Sequence, residues 1–410
     1  MLIKYLDYAI LGRLIHYKRI QQGISQKRLI SLLPAGSSCS EKTFRNIESG
    51  IPVRYIPQIY RSIADCLGSS FSDDQDLYKE IRLLSEETYR ILSENVLIEE
   101  IISFYKQLKE QSADQRDYIY ISDLLQIYIS AVEYYLFGRL NEGSLGLLTD
   151  LYPQSTDTDR KLISYLLFIG VRNDLLSEHD INLLRPGRDL INDPLFLYEE
   201  PYYDLMNRSI PDITAKYSAR YAALQSDDGI SLKYNAVFGM IAAQINSSDE
   251  ENAFEILTSF LEHNSDDPAL PEHYLLEMDK RAGIVAYSTE RYRECEEIFL
   301  SIFRRNRKIL GMNYLLLFNC LQKNEHFSLA KDTVQALSPD DATFTAARSI
   351  IVYFQKKYAG VPAADIEQFL LKELPPKEVL SRIYHRALID EMRSLVKETG
   401  HYKLLSKYIG

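Results

Sequence analysis

Hydrogen-bonding and basic side chains cluster near the N-terminus, in GISQKRLISLL (23–33) and SCSEKTFRNIESG (38–50). Ser25 and Ser40 are typical N-cap residues, and Gly50 suits the left-handed exit from a helix. Lys, Arg and Asn side chains on one face of a short helix can contact phosphates and base edges. We therefore predict a pair of short helices whose chemistry is the recognition of nucleic acid.

Signatures of catalysis are missing from the sequence. It has no Gly-x-x-x-x-Gly-Lys-Ser/Thr loop, no Gly-x-Gly-x-x-Gly and no Gly-x-Ser-x-Gly. The seven His residues are scattered, and none of the four Cys residues forms a Cys-x-x-Cys pair. We predict that the protein is not an enzyme and needs neither a metal nor a cofactor.

The charge is divided unevenly along the 410 residues. The whole chain carries a formal charge of −11, which by itself disfavours nucleic acid as a partner. Residues 1–70 hold ten Lys/Arg and four Asp/Glu, a balance of +6, so the rest carries −17. A basic N-terminal segment followed by an acidic remainder predicts different partners for the two parts of the chain.

Helical patterns dominate the chain. Gly (17) and Pro (14) are sparse, and residues 77–111 place apolar side chains at i, i+3, i+4 and i+7. We predict an all-α protein with a basic helical domain at 1–70, a linker helix region at 71–112 and helical hairpins over 113–410. No apolar run is long enough to span a membrane. Together with the separated Cys residues, this favours the cytoplasm.

The N-terminal motif resembles a known DNA-binding fold. Gly-Ile-Ser-Gln (23–26) followed by Phe-Arg-Asn-Ile-Glu-Ser-Gly (44–50) is similar to the helix-turn-helix of phage-repressor-like (XRE) regulators. The resemblance covers about residues 8–68. It implies double-stranded DNA as a partner and a homodimer on a two-fold site. It implies DNA contacts by nine residues: Arg19, Gln26, Lys27, Ser40, Glu41, Lys42, Thr43, Arg45 and Asn46.

The resemblance also suggests roles for these side chains. Gln26 would anchor a phosphate, while Glu41, Lys42 and Asn46 would read base edges. Thr43, Arg45, Lys27 and Arg19 are better suited to phosphate. The turn between the two helices, Pro34–Cys39, is about four residues longer than is common in the family, which leaves the exact docking open.

The C-terminal body resembles tetratricopeptide repeats. Small residues at Gly283, Ala286 and Cys295 are followed by Phe299 and Ile302, and a similar pattern recurs 35 residues later. Stacked helical hairpins would form a right-handed α-solenoid with a concave face. A helix-turn-helix followed by such an array resembles the RNPP (Rgg, NprR, PlcR and PrgX) group of peptide-responsive regulators of Gram-positive bacteria.

That resemblance implies a short signalling peptide, as in quorum sensing, bound on the concave face. An Asn amide both donates and accepts, so it suits pairing with a peptide backbone. In the repeat frame set by Gly283, we predict peptide contacts by five residues: Asn235, Arg281, Tyr287, Asn313 and Asn319. Helical hairpins with no family relation are the simpler alternative for the body. For each of these residues the alternative is an interhelix hydrogen bond or plain exposure to solvent.

Two other functions remain open at the level of sequence. The array could sequester another protein, with a vestigial helix-turn-helix. The protein could also be a DNA-binding repressor without an effector.

Overall fold

The structure, a computed structural model, describes residues 3–53, 56–173, 175–176, 184–247, 249–341, 345–373 and 382–400. In these ranges the chain is built of α-helices, short 3-10 turns and loops, and the only β-type pairing is one bridge between Ser70 and Tyr118. The predicted all-α class is confirmed. The right-handed solenoid remains a prediction.

The chain packs into two compact units. Unit 1 comprises residues 1–208, 224–235 and 267–273, and unit 2 comprises 209–223, 236–266 and 274–410. The helices that lie within unit 1 are α1 Tyr8–Gln21, α2 Gln26–Leu32, α3 Glu41–Glu48, α4 Ile56–Cys66, α5 Gln75–Ser93, α6 Ile98–Asp114, α7 Ile121–Phe137, α8 Leu145–Leu151, α9 Asp157–Arg172, α10 Leu184–Asp189 and α11 Glu200–Asn207.

The remaining helices belong to unit 2, except that the first residues of α13 and α15 belong to unit 1. They are α12 Ile210–Ala222, α13 Ile230–Ser247, α14 Glu250–Asn264, α15 Glu272–Ser288, α16 Tyr292–Asn306, α17 Asn313–Lys323, α18 Phe327–Gln335, α19 Thr345–Tyr358, α20 Ala363–Glu373 and α21 Arg382–Thr399.

Helix α1 packs against several other helices of unit 1. It contacts both α3 and α8. Polar contacts also join α1 to the start of α7: Lys18 forms an ion pair with Asp123 at 3.2 Å, and the backbone N–H of Asp7 donates to the Tyr120 hydroxyl. The N-terminal bundle is thus part of a larger core. The predicted boundaries at residues 70 and 112 stay predictions.

Unit 2 contains hairpins with the same turn geometry. Glu290, Glu325 and Gly360 all have φ between 63° and 76°, and they are spaced 35 residues apart. After each of them, a backbone N–H bonds the carbonyl five residues back, from Arg291 to Ala286, His326 to Leu321 and Val361 to Lys356. The hairpins α15–α16, α17–α18 and α19–α20 therefore repeat with the period that the sequence pattern indicated.

Close approach of paired helices depends on Gly283 in α15. A Cβ atom at this position would lie 2.6 Å from ring atoms of Phe299 in α16, and Phe299 is fully buried. The expectation that a small residue here lets the two helices approach is confirmed.

We predict that Gly283→Ala destabilises unit 2 by about 1–3 kcal/mol, because the added methyl group overpacks the contact with Phe299. Chemical denaturation followed by circular dichroism measures the loss. Adding Phe299→Leu should make the effect of the alanine smaller than it is in the parent chain. An equal cost in both backgrounds would contradict the proposed clash.

Candidate nucleic-acid interface

Local hydrogen bonds set the start of both helices in the N-terminal motif. The Ser25 hydroxyl accepts from the backbone N–H of Arg28 at 3.2 Å, and the Ser40 hydroxyl accepts from that of Thr43 at 3.1 Å. Both side chains satisfy N–H groups that lack a partner inside the helix. The predicted caps are confirmed, and the long turn between the helices contains a 3-10 turn at Ala35–Ser37.

Packing of α3 against α1 determines which of its faces is buried. Phe44 and Ile47 are fully buried. A Cβ atom on Gly12 of α1 would lie 2.2 Å from the Ile47 carbonyl oxygen, so the helices approach closely there. Gly50 ends the segment at φ +75°, the left-handed exit that the sequence predicted, and its Cα faces Ala9 of α1.

The opposite face of α3 is open. Glu41, Lys42 and Arg45 are exposed on this helix, and Thr43 and Asn46 are half-buried. Ser40 is exposed at its start. These positions carry an acceptor, two cations, two hydroxyls and an amide, which together can contact base edges and phosphates. The structure thus gathers six of the nine predicted DNA-contacting residues on one helix and its cap.

Arg19 does not belong to that surface. Its side chain is buried, and its guanidinium donates from Nε to Oε1 of Glu48 at 2.6 Å and from Nη2 to Oε2 at 3.2 Å. Its third nitrogen donates to the Ile24 carbonyl at 2.8 Å. The prediction of Arg19 as a phosphate contact is therefore not supported by its placement, because its donors are used inside the bundle.

Sequence reasoning missed this ion pair. Glu48 follows the buried Ile47 on α3 and is itself only 5% exposed, so its charge needs a partner nearby. An acidic residue next to the last apolar position of a short amphipathic helix was the available signal. The partner lies 29 residues away in sequence, which no local pattern indicates.

Gln26 and Lys27 open α2 in different environments. Gln26 is half-buried, and its amide donates to the Glu48 carboxylate. An amide nitrogen carries two N–H groups, so one is left to direct at a phosphate. Lys27 is 82% exposed and lies 4.0 Å from Glu41 of α3, at the edge of the open face.

Four of the five predicted peptide contacts lie on helices α15 and α17 in unit 2. Asn313 and Asn319 are buried and donate to the carbonyls of Leu310 and Leu315 in their own turns, at 2.8 and 2.9 Å. Tyr287 is fully buried, and burial raises the pKa of its hydroxyl. Arg281 is half-buried, with its guanidinium 5.0 Å from the Phe238 ring centre.

The fifth residue lies in the other unit. Asn235 is fully buried in unit 1, and its amide donates to the Leu197 carbonyl at 2.6 Å and to Glu200 at 3.1 Å. The amides of these Asn residues are thus bonded within the protein: Asn235 bonds a different element, as the simpler alternative had it, and Asn313 and Asn319 bond carbonyls of their own turns. Their placement does not support direct contact with an added peptide.

Comparison with known proteins gives no relative: no family model, no curated protein and no solved structure matches the chain. In the part of the chain that the structure describes, none of the helices is long and apolar enough to cross a bilayer.

We predict that Glu48→Gln destabilises the N-terminal bundle by about 3–5 kcal/mol, because it leaves the Arg19 guanidinium buried without a counter-charge. Hydrogen exchange of the α1 and α3 amides in the full chain measures the loss for this region alone. Glu41→Gln, on the exposed face of the same helix, is the matched control and should leave the exchange unchanged. Equal protection in the two variants would contradict a structural role for the ion pair.

Proposed function

We propose that the protein is a dimeric, sequence-specific DNA-binding regulator. The observation that carries the proposal is the open face of α3, on which acceptor, cationic and amide side chains stand beside the start of α2. The residues proposed to contact DNA are Gln26, Lys27, Ser40, Glu41, Lys42, Thr43, Arg45 and Asn46.

The form of the bundle supports this function. α3 is a short helix held at a fixed angle by the buried contacts of Phe44 and Ile47, so its exposed side chains are held in position relative to one another. The major groove of B-form DNA is wide enough to admit an α-helix. The +6 balance of residues 1–70 supplies a long-range attraction to phosphates in spite of the acidic total.

Roles on the open face follow from side-chain chemistry. Lys42 suits the guanine acceptors, Asn46 suits the paired donor and acceptor of adenine, and Glu41 suits the cytosine amino group. Arg45 and Lys27 suit phosphates, which fix register without reading sequence. A two-fold pair of such faces would read two half-sites, which is the reason to propose a dimer.

We extend the proposal to a cytoplasmic regulator whose activity responds to a short peptide. The resemblance to the RNPP group and the tandem hairpins of unit 2 support this extension. Peptides encoded near the gene can be tested by the shift that they cause in the melting temperature at saturating concentration. No shift with any of them would remove the peptide from the proposal and leave the DNA-binding function untouched.

We predict that Lys42→Ala combined with Arg45→Ala lowers the affinity for a preferred operator by tenfold or more. The preferred sequence is first selected from a random double-stranded pool with the full chain. Binding is then measured by fluorescence anisotropy at several salt concentrations, where each lost phosphate contact reduces the slope of log K against log salt by about one. Arg293→Ala, an exposed arginine of α16 in unit 2, is the control. Unchanged binding by the double variant would favour a protein-sequestering function instead.

We predict that Asn46→Ala relaxes sequence preference at one base pair, with a loss of about 1–3 kcal/mol against the preferred base. Lys27→Ala should instead weaken binding to all sequences to the same extent. Competition between the selected operator and single-base variants distinguishes the two patterns. A uniform loss with Asn46→Ala would contradict base reading by this residue.

A further inference from the structure

Helix α21 does not continue the stack of hairpins in unit 2. A helix that simply followed α20 would extend the array beyond α19 and α20. α21 instead contacts both α20 and α17, which lies one hairpin further back. Its Arg386 forms an ion pair with Glu290, in the turn between α15 and α16. α21 therefore lies against α17 and α20, bonds side chains of α19, and reaches the turn that follows α15.

Polar side chains on α17 and α19 bind one buried carboxylate of α21. Glu391 is 2% exposed and accepts from Gln322 of α17 at 2.7 Å. From α19 it accepts from the Tyr353 hydroxyl at 2.8 Å and the Lys357 ammonium at 2.6 Å. One carboxylate thus joins two neighbouring repeats.

Further contacts follow the same side of α21. Asp390 forms an ion pair with Lys323 of α17 at 3.1 Å. One helical turn earlier, the Ala387 carbonyl accepts from Asn319 at 3.4 Å. Another turn earlier, the Tyr384 hydroxyl donates to Asn313 at 2.7 Å, and burial raises the pKa of this Tyr to about 12. The face of the array was expected to hold a peptide through Asn313 and Asn319, and it holds a helix of the chain itself.

Apolar packing completes the contact of α21 with unit 2. Its Leu388, Met392, Leu395 and Val396 are buried, while Arg386, Arg393 and Lys397 are exposed. The buried side chains recur at helical spacing, so α21 is an amphipathic helix laid in a groove. The groove thus bonds an aromatic hydroxyl at position i, the backbone carbonyl of a fully buried alanine at i+3, and a carboxylate at i+7.

We propose that the face formed by α17 and α19, together with the turn after α15, is a helix-binding groove and that α21 is its resident occupant. The partner that we propose for this groove is a foreign amphipathic helix carrying the pattern of Tyr384, Ala387 and Glu391. The partner helix replaces α21 in the groove. This inference goes beyond the proposed function, since it requires neither DNA nor the open face of α3.

The probe is a fluorescent synthetic peptide of residues 382–399, added to the full chain. In the wild-type chain α21 is part of the same molecule as the groove, so its effective concentration there is high. The added peptide must compete with it and should therefore bind weakly. Glu391→Ala in the chain weakens the resident helix and leaves the groove side chains intact. We expect this variant to bind the peptide at least tenfold more tightly than the wild type.

Three controls test whether the tighter peptide binding of the Glu391→Ala chain comes from the groove. Lys397→Ala, on the exposed side of α21, should behave as the wild type. Adding Lys357→Ala to the Glu391→Ala chain should abolish the gain, and so should Glu391→Ala in the peptide. Equal peptide binding by the wild-type and Glu391→Ala chains would overturn the proposal. If the variant forms a dimer in place of the peptide complex, the proposal of a foreign partner helix would be overturned. The groove would then be assigned to α21 of a second copy of the chain.

Circular dichroism establishes whether the Glu391→Ala chain folds. If it does not, hydrogen exchange of the wild-type chain decides the question. A displaceable α21 should exchange its amides through an opening that leaves α17 and α19 protected. Exchange of α21 only together with α17 and α19 would show that it is an inseparable part of the core and would refute displacement.

Discussion

The buried ion pair between Arg19 and Glu48 fixes the geometry of the N-terminal bundle. It joins the last turn of α1 to the last turn of α3, while the same guanidinium holds the Ile24 carbonyl just before α2. Glu48 also accepts from Gln26, the first residue of α2. Three segments thus meet at one carboxylate. A buried pair of this kind adds little net stability against an apolar pair of similar size, but its hydrogen bonds tolerate little change in geometry. Its main effect is to define the angle between α2 and α3.

Helix α1 also fixes the position of α2 and α3 relative to the rest of unit 1. α1 contacts both α3 and α8, and Lys18 and Asp7 join it to the start of α7. The open face of α3 therefore has a defined orientation relative to α7 and α8. In a bundle tethered only by a linker, the orientation of these side chains relative to α7 and α8 would not be fixed.

Local signals in the sequence predicted local structure well. The caps at Ser25 and Ser40, the exit at Gly50 and the 35-residue recurrence follow from residues close in sequence, and the structure contains each of them. The placement of Arg19 and Asn235 depends on partners 29 to 38 residues away in sequence, whereas Asn313 and Asn319 bond carbonyls in their own turns. An Asn amide satisfies a carbonyl in its own helix as readily as one in a ligand, so residue type alone could not decide between them. The packing of α21 against α17 had no local signature.

The position of α21 also has a consequence for the order of folding. Arg386 and Glu290 are 96 residues apart in sequence, and Glu391 bonds partners 34 to 69 residues upstream. The hairpins from α15 to α20 can form through nearer contacts as the chain emerges from the ribosome. Their shared face then stays uncovered until α21 has been synthesised. During that interval Lys357, Gln322 and Tyr353 are open to solvent or to a chaperone, so the synthesis of α21 determines when this surface is closed.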